Sequence, residues 1–324
     1  MAARVDPLEL GIFPISPDKP PFRLSKYLAA ASLFWLSSTA LHFTGLSLAT
    51  PLLLFLTRNR SPVSWIDAYG IDPIHAKKEA GNITAYLIVT QLVLGLACKR
   101  GLHFPGPDVY EEGKHDQGDV LIWAGLYTVF YALLPAVWLH RSSAFSWSKL
   151  LSSLKWRENL SIIFVYWAID FFGVLSDSDF LGLSPSQYAL AIPAGIFANT
   201  LGAGLPVILI MHVLLITRLA VLCPKKEYKD KLTVQANRLT TIALGGVSYA
   251  IFSLFDPGTD YNSASGAFMS VSYIFMTLIL IGMCKASFTV TTGNPIIHFI
   301  CLHVISARVP LDTRMYGEIF GIVQ

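Results

Sequence analysis

Asp170 lies inside the apolar run Leu160–Leu175 (LSIIFVYWAIDFFGVL), where no water is at hand to solvate a carboxylate. An acid in hydrocarbon costs a few kcal/mol at the least, so such a residue is read as a functional group facing a protein interior. An apolar surround also favours its protonated form, which makes Asp170 a candidate proton donor. Asp177, Asp179 and Asp256 complete a set of acids near it in the expected topology, with Asp256 the residue that would share or replace its role. The rings of Tyr166, Trp167, Phe171, Phe172, Tyr249, Phe252 and Phe255 could stabilise a carbocation formed after proton transfer, since cation–π attraction in a desolvated site reaches about 2 kcal/mol per ring. Against this, Asp177, Asp179 and Asp260 also suit helix caps or solvated turns, and Asp256-Pro257-Gly258 reads as a turn.

His212, His298 and His303 fall within apolar stretches, where they would hydrogen-bond neighbouring helices; His298 and His303 are also candidates to bind substrate. A metal needs three or four convergent ligands. There is no HExxH, Asp177-x-Asp179 is too short to define a magnesium site, and the four cysteines (Cys98, Cys223, Cys284, Cys301) lack CxxC spacing. No metal and no cofactor are expected, and no P-loop or GxGxxG is present.

The elements that must position these residues are membrane helices. Of 324 residues 53% are hydrophobic and 14% charged, against about 25% charged in soluble domains; mean hydropathy is +0.54. The expected fold is all-α, a polytopic membrane helical bundle with seven or eight transmembrane helices. Apolar stretches fall near 27–56, 83–98, 119–139, 160–176, 187–222, 239–255, 264–284 and 294–309. Residues 1–26 form a Pro-rich tail with no continuous apolar core of a signal peptide, and 27–324 a single transmembrane domain. Gly45 or Pro51 would bend the first stretch, and Pro193, Gly202, Gly204 and Pro206 would break the fifth.

Loop 224–238 carries Lys225, Lys226, Lys229, Lys231 and Arg238, and loop 140–158 carries Arg141, Lys149, Lys155 and Arg157; loops 176–186 and 256–263 carry acids alone. By the positive-inside rule the basic loops face the cytoplasm and the acidic ones the other side, with Arg23, Lys26, Arg58 and Arg60 leaving the first span open. The basic clusters suit the bilayer surface rather than nucleic acid, and the endoplasmic reticulum is the expected membrane. Asn82-Ile83-Thr84 and Asn159-Leu160-Ser161 match the glycosylation pattern but abut spans.

Thr291-Thr292-Gly293-Asn294-Pro295-Ile296-Ile297-His298, continuing to His303 and Asp312-Thr313, resembles the closing motif of the CAAX-protease and bacteriocin-processing intramembrane family. Tyr249-Ala250-Ile251-Phe252-Ser253 resembles that family's FxxxH element, with Ser253 where the histidine belongs. The family's EExxxR is missing, since Glu111-Glu112 is followed by Gly113-Lys114-His115-Asp116. The resemblance, over the last third of the chain, therefore implies a retained fold without metal-assisted water attack.

In size, span number and acids scattered among aromatics at one membrane face, the chain also looks like the integral-membrane terpene cyclases of fungal meroterpenoid pathways. That resemblance is one of architecture and implies acid-initiated cyclisation of an epoxidised or olefinic prenyl chain, with the bilayer and a hydrophobic prenylated substrate as partners. The competing readings are a proton- or ion-coupled transporter or channel, since intramembrane acids and broken helices mark ion pathways, and a catalytically inactive scaffold.

Overall fold

The computed structural model of the chain describes residues 44–60, 68–97, 125–142, 155–174, 183–223, 231–254 and 259–304, with a few isolated positions besides. Every regular element among them is helical. In chain order these are α1 (Thr44–Leu56), α2 (Pro73–Ala97), a π-helical segment Thr128–Leu133 running into α3 (Leu134–Ser142), α4 (Trp156–Val174) and α5 (Pro185–Asn199). Two π-helical segments, Thr200–Gly204 and Val207–Ile216, lead to α6 (Thr217–Leu222). Then come α7 (Lys231–Phe252), α8 (Ala264–Tyr273), π-helical Ile274–Leu278, α9 (Ile279–Thr292), α10 (Pro295–Phe299) and π-helical Ile300–Val304. The tail 1–26 and the first part of the stretch 27–56 lie outside the described residues.

Among the described residues one helix, Ala264–Thr292, is long and apolar enough to cross a membrane. At 1.5 Å per residue it spans roughly 43 Å. The other helices among the described residues are shorter or more polar. Val207–Leu222 is apolar but short, and α2 opens on His75, Lys77, Lys78 and Glu79.

Local chemistry explains the boundaries. Ser184 caps α5 through a capping box with Gln187, and Pro185 occupies the first turn, where a missing N–H costs nothing. The closing motif folds as a stop and a restart. Gly293 ends α9 in the left-handed conformation (φ 76°) that a glycine adopts without strain. Asn294 then caps α10, its side chain accepting the Ile296 N–H at 2.7 Å. Tyr69 clamps this turn by donating to the Gly293 carbonyl at 2.6 Å.

Pro193, Gly202, Gly204 and Pro206 do not break the fifth stretch. Pro193 sits inside α5, and the chain stays helical with widened turns beyond it. A widened turn frees carbonyls, and neighbouring hydroxyls take them up. Thr128 donates to the Leu201 carbonyl at 2.9 Å, and Tyr86 to the Phe130 carbonyl at 2.5 Å.

Side-chain bonds gather the charged helix ends at one end of the bundle. Arg60, just past α1, donates to Asn159 Oδ1 at 2.7 Å and to the Glu158 carbonyl at the start of α4. Arg218 of α6 pairs with Glu79 of α2 at 2.6 Å. Arg238 of α7 reaches the Thr57 carbonyl at 3.1 Å. The end of α1 thus lies beside the start of α4 and beside Arg238 of α7. Asn159 is buried against Arg60 and Asn82 lies inside α2, so neither glycosylation pattern falls in an exposed loop.

Candidate functional site

Helices α7 and α9 pack closely because glycines face each other across the contact. A Cβ on Gly282 would lie 2.4 Å from Tyr249 Cβ, and one on Gly246 would lie 2.6 Å from the Ile279 carbonyl oxygen. This approach delivers Lys285 to Tyr249. Its Nζ donates to the Tyr249 hydroxyl at 2.6 Å and lies 4.2 Å from the ring centroid. Lys285 is buried, 7% exposed, in the helix Ala264–Thr292 that is long and apolar enough to cross a membrane.

One turn further along α9, on the same helical face, Thr289 Oγ1 is 2.7 Å from His212 Nδ1. The His212 ring stacks on that of His298 from α10, centroids 3.7 Å apart. All three of these residues are buried. Tyr249, Lys285, Thr289, His212 and His298 thus mark a polar track through the apolar core, contributed by α7, α9, α10 and the segment Val207–Ile216.

Two groups of rings flank the track. Tyr166 meets Phe288 edge-on at 4.8 Å, and Phe288 lies 6.3 Å from His298. On the other side Phe252 contacts Tyr131 at 4.9 Å and Tyr127 at 5.9 Å, with Tyr249 at 6.3 Å. Gln91 holds the Tyr131 hydroxyl at 2.6 Å.

Of the residues singled out in the sequence, the structure brings together Tyr166, Tyr249, Phe252, His212 and His298. Trp167 packs against the core cluster that contains Tyr166 and Phe288 and meets Phe164 edge-on at 6.2 Å, its indole nitrogen buried without an acceptor among the described residues. Asp170, Phe171 and Phe172 lie on α4, Asp170 four residues beyond Tyr166, but their side chains are outside the described residues, as is that of His303 in the last π-helical segment. Asp177, Asp179, Phe255, Asp256, Asp312, Glu111 and Glu112 are outside altogether. Asp260 serves a turn, Oδ1 accepting the Asn262 N–H at 2.8 Å. Ser253 is buried.

Lys285, Thr289, Phe288, Tyr127 and Tyr131 are the residues that sequence reasoning passed over. Lys285 carried a visible signal, a lone cation in the run Ile279–Val290, of the same kind that marked Asp170. Among the described residues no three His, Cys, Asp or Glu side chains converge as metal ligands. Cys223, Cys284 and Cys301 are buried; Cys98 lies outside the described residues. Compared with protein-family models, curated proteins and solved structures, the chain matches none.

Proposed function

We propose that this chain is a multi-pass integral membrane enzyme that cyclises an epoxidised or olefinic prenyl chain by proton transfer, a step in secondary-metabolite biosynthesis of the meroterpenoid type. The observation that carries this reading is the buried polar track with aromatic groups on both sides. Such a core combines what an acid-initiated cyclisation needs, polar groups that hold and move protons and rings that stabilise the cation as it migrates. Asp170 is the proposed donor, in the helix whose Tyr166 packs on Phe288 beside His298, with Asp256 as the acid that shares its role. Phe171, Phe172 and Phe252 would line the substrate, and protonation of an epoxide requires neither metal nor nucleotide.

Immersion of most helices in lipid is supported by their outer faces. Val89 and Val93 of α2, Val137 of α3, Phe164 of α4, Phe197 of α5 and Val247 of α7 are all exposed. Exposed large apolar side chains on so many elements fit a bilayer better than water. Seven or eight spans, with the arginine-rich end in the cytoplasm and the endoplasmic reticulum as host membrane, complete the proposal.

The test is direct. Membranes bearing the protein are incubated with an epoxidised farnesyl phenol and product rings are identified by mass and NMR. Wild type should yield cyclic product and Asp170→Asn should lose it; no cyclic product from wild type, or undiminished product from the variant, sinks the reading.

A second reading, proton-coupled transport, is favoured by one observation. The path from α5 to α6 contains two π-helical segments, and the second carries His212 of the polar track. Titratable groups within a membrane mark proton pathways, and π-bulges in helices are frequent at functional sites. Proton-coupled flux into proteoliposomes that is lost on His212→Ala would select it.

A further inference from the structure

Among the described residues Lys285 has no counter-charge of the kind that Arg218, another buried cation, possesses. Arg218, 3% exposed, has the Glu79 carboxylate at 2.6 Å and the Leu214 carbonyl at 3.0 Å. Lys285 has only a neutral hydroxyl, and among the described residues no carboxylate lies within 4 Å of its Nζ. A buried ammonium held by one hydroxyl and one ring face leaves its charge poorly compensated.

The hydrogen-bond inventory points the same way. Lysine offers three N–H donors and tyrosine one O–H donor. Lys285 spends one N–H on the Tyr249 oxygen. Two ammonium protons and the tyrosine proton remain, with no acceptor within reach among the described residues. Two donor atoms 2.6 Å apart, one charged and one neutral, match the two oxygens of a carboxylate, each of which accepts one charge-assisted or neutral bond. Tyr249 is only half-buried, so this donor pair lies at the edge of the core rather than sealed inside it.

We infer that Lys285 and Tyr249 form the headgroup site for a membrane-soluble carboxylic acid, the ammonium pairing with the carboxylate and the tyrosine hydroxyl donating to its second oxygen. This rests on the reading of the core as a substrate site and names the substrate class within it: an apolar chain that ends in a monoanion. One buried positive charge balances one negative charge, so a carboxylate fits better than the dianion of a phosphate monoester. It also divides the labour of the rings. With Lys285 on its face, Tyr249 anchors the head, and cation stabilisation along the chain passes to Phe252, Tyr131 and Phe288.

The experiment measures binding without turnover. The full chain, purified in a non-ionic detergent, is titrated with the fluorescent polyene acid cis-parinaric acid, which is then displaced by oleate, oleyl alcohol or oleyl phosphate. Wild type should bind oleate about tenfold more tightly than the alcohol and more tightly than the phosphate. Lys285→Met should make acid and alcohol equal, Lys285→Arg should keep the preference, and Tyr249→Phe should reduce it. Equal binding of acid and alcohol by wild type, tightest binding of the phosphate, or a preference that survives in Lys285→Met overturns the inference. Should Lys285→Met fail to fold, an unchanged preference in Tyr249→Phe, together with an infrared carboxylate band of bound 13C-oleate identical in wild type and Lys285→Arg, overturns it equally. A chain that prefers the acid yet forms no ring refutes cyclisation alone, and one that cyclises a neutral chain without acid preference refutes the headgroup site alone.

Discussion

The imidazole of His212 stacks on that of His298, centroids 3.7 Å apart and planes 22° from parallel, while its Nδ1 engages Thr289 Oγ1 at 2.7 Å. The stack ties the segment Val207–Ile216 to α10, and the Thr289 bond ties both to α9. Replacing His212 by Phe keeps a flat ring but strands the threonine hydroxyl in an apolar setting, which costs about 1–3 kcal/mol. Thr289→Val removes the same bond from the other side. Thermal unfolding in detergent should show the double variant losing less than the two single losses added together; strictly additive losses would mean that the two side chains do not interact.

The α7–α9 contact makes a prediction about glycine. A methyl group on Gly282 meets Tyr249 Cβ at 2.4 Å, so Gly282→Ala must push the helices apart. Overpacking of this kind costs about 1–3 kcal/mol, and the displacement separates Lys285 from Tyr249. Gly81→Ala in α2 is the control. Nothing lies within 4 Å of its added methyl, and it should be neutral or stabilise the helix by up to about 1 kcal/mol. Equal Tm values for Gly282→Ala and Gly81→Ala would refute this account of the packing.

The helical class was legible because it follows from composition along the chain. The capping of α10 was legible too, as Gly293-Asn294-Pro295 contains its own stop and start signals. The meeting of His212, Thr289 and His298 was not. It depends on which helices pack together, and no local spacing encodes that. Lys285 was legible in principle by the rule that picked out Asp170, but a lysine reads first as a snorkelling surface residue, and only the structure shows it inside, on Tyr249. The break expected at Pro193 to Pro206 failed for a related reason. Widened turns there are supported by hydroxyls from other helices, such as Thr128 on the Leu201 carbonyl, and a sequence window cannot see them.

Asp72 gives α2 a pH-dependent start. Its Oδ1 accepts the Ile74 N–H at 2.9 Å and its Oδ2 lies 2.6 Å from His75 Nδ1. The backbone bond first, and the His75 bond after it, hold the carboxyl below its usual 3.8. A carboxyl depressed on folding stabilises the helix start fully above its unfolded value of about 4 and loses that contribution as the pH falls through the folded value. Amide exchange in the first turn of α2, corrected for intrinsic rate, should therefore lose protection on acidification in this window. Asp72→Asn retains the side-chain cap and should flatten the pH response; a response unchanged by that substitution would assign the effect to another group.

Glu79 and Arg218 share one ion pair but not one environment, and that inequality sets the sign of the last prediction. The arginine side chain is 3% exposed and the glutamate 25%. Without Arg218, the glutamate can turn to water and regain most of its solvation. Without Glu79, the guanidinium stays buried with the Leu214 carbonyl at 3.0 Å and no counter-charge. Removing the partner of a buried charge costs about 3–5 kcal/mol, whereas removing a buried pair together is often close to neutral. Glu79→Gln should therefore destabilise the protein more than Arg218→Met does, and Arg218→Met introduced into Glu79→Gln should restore part of the loss. Chemical denaturation in mild detergent ranks the three variants. If Arg218→Met proves the more damaging single change, the pair is held by packing around the arginine stem rather than by its charge.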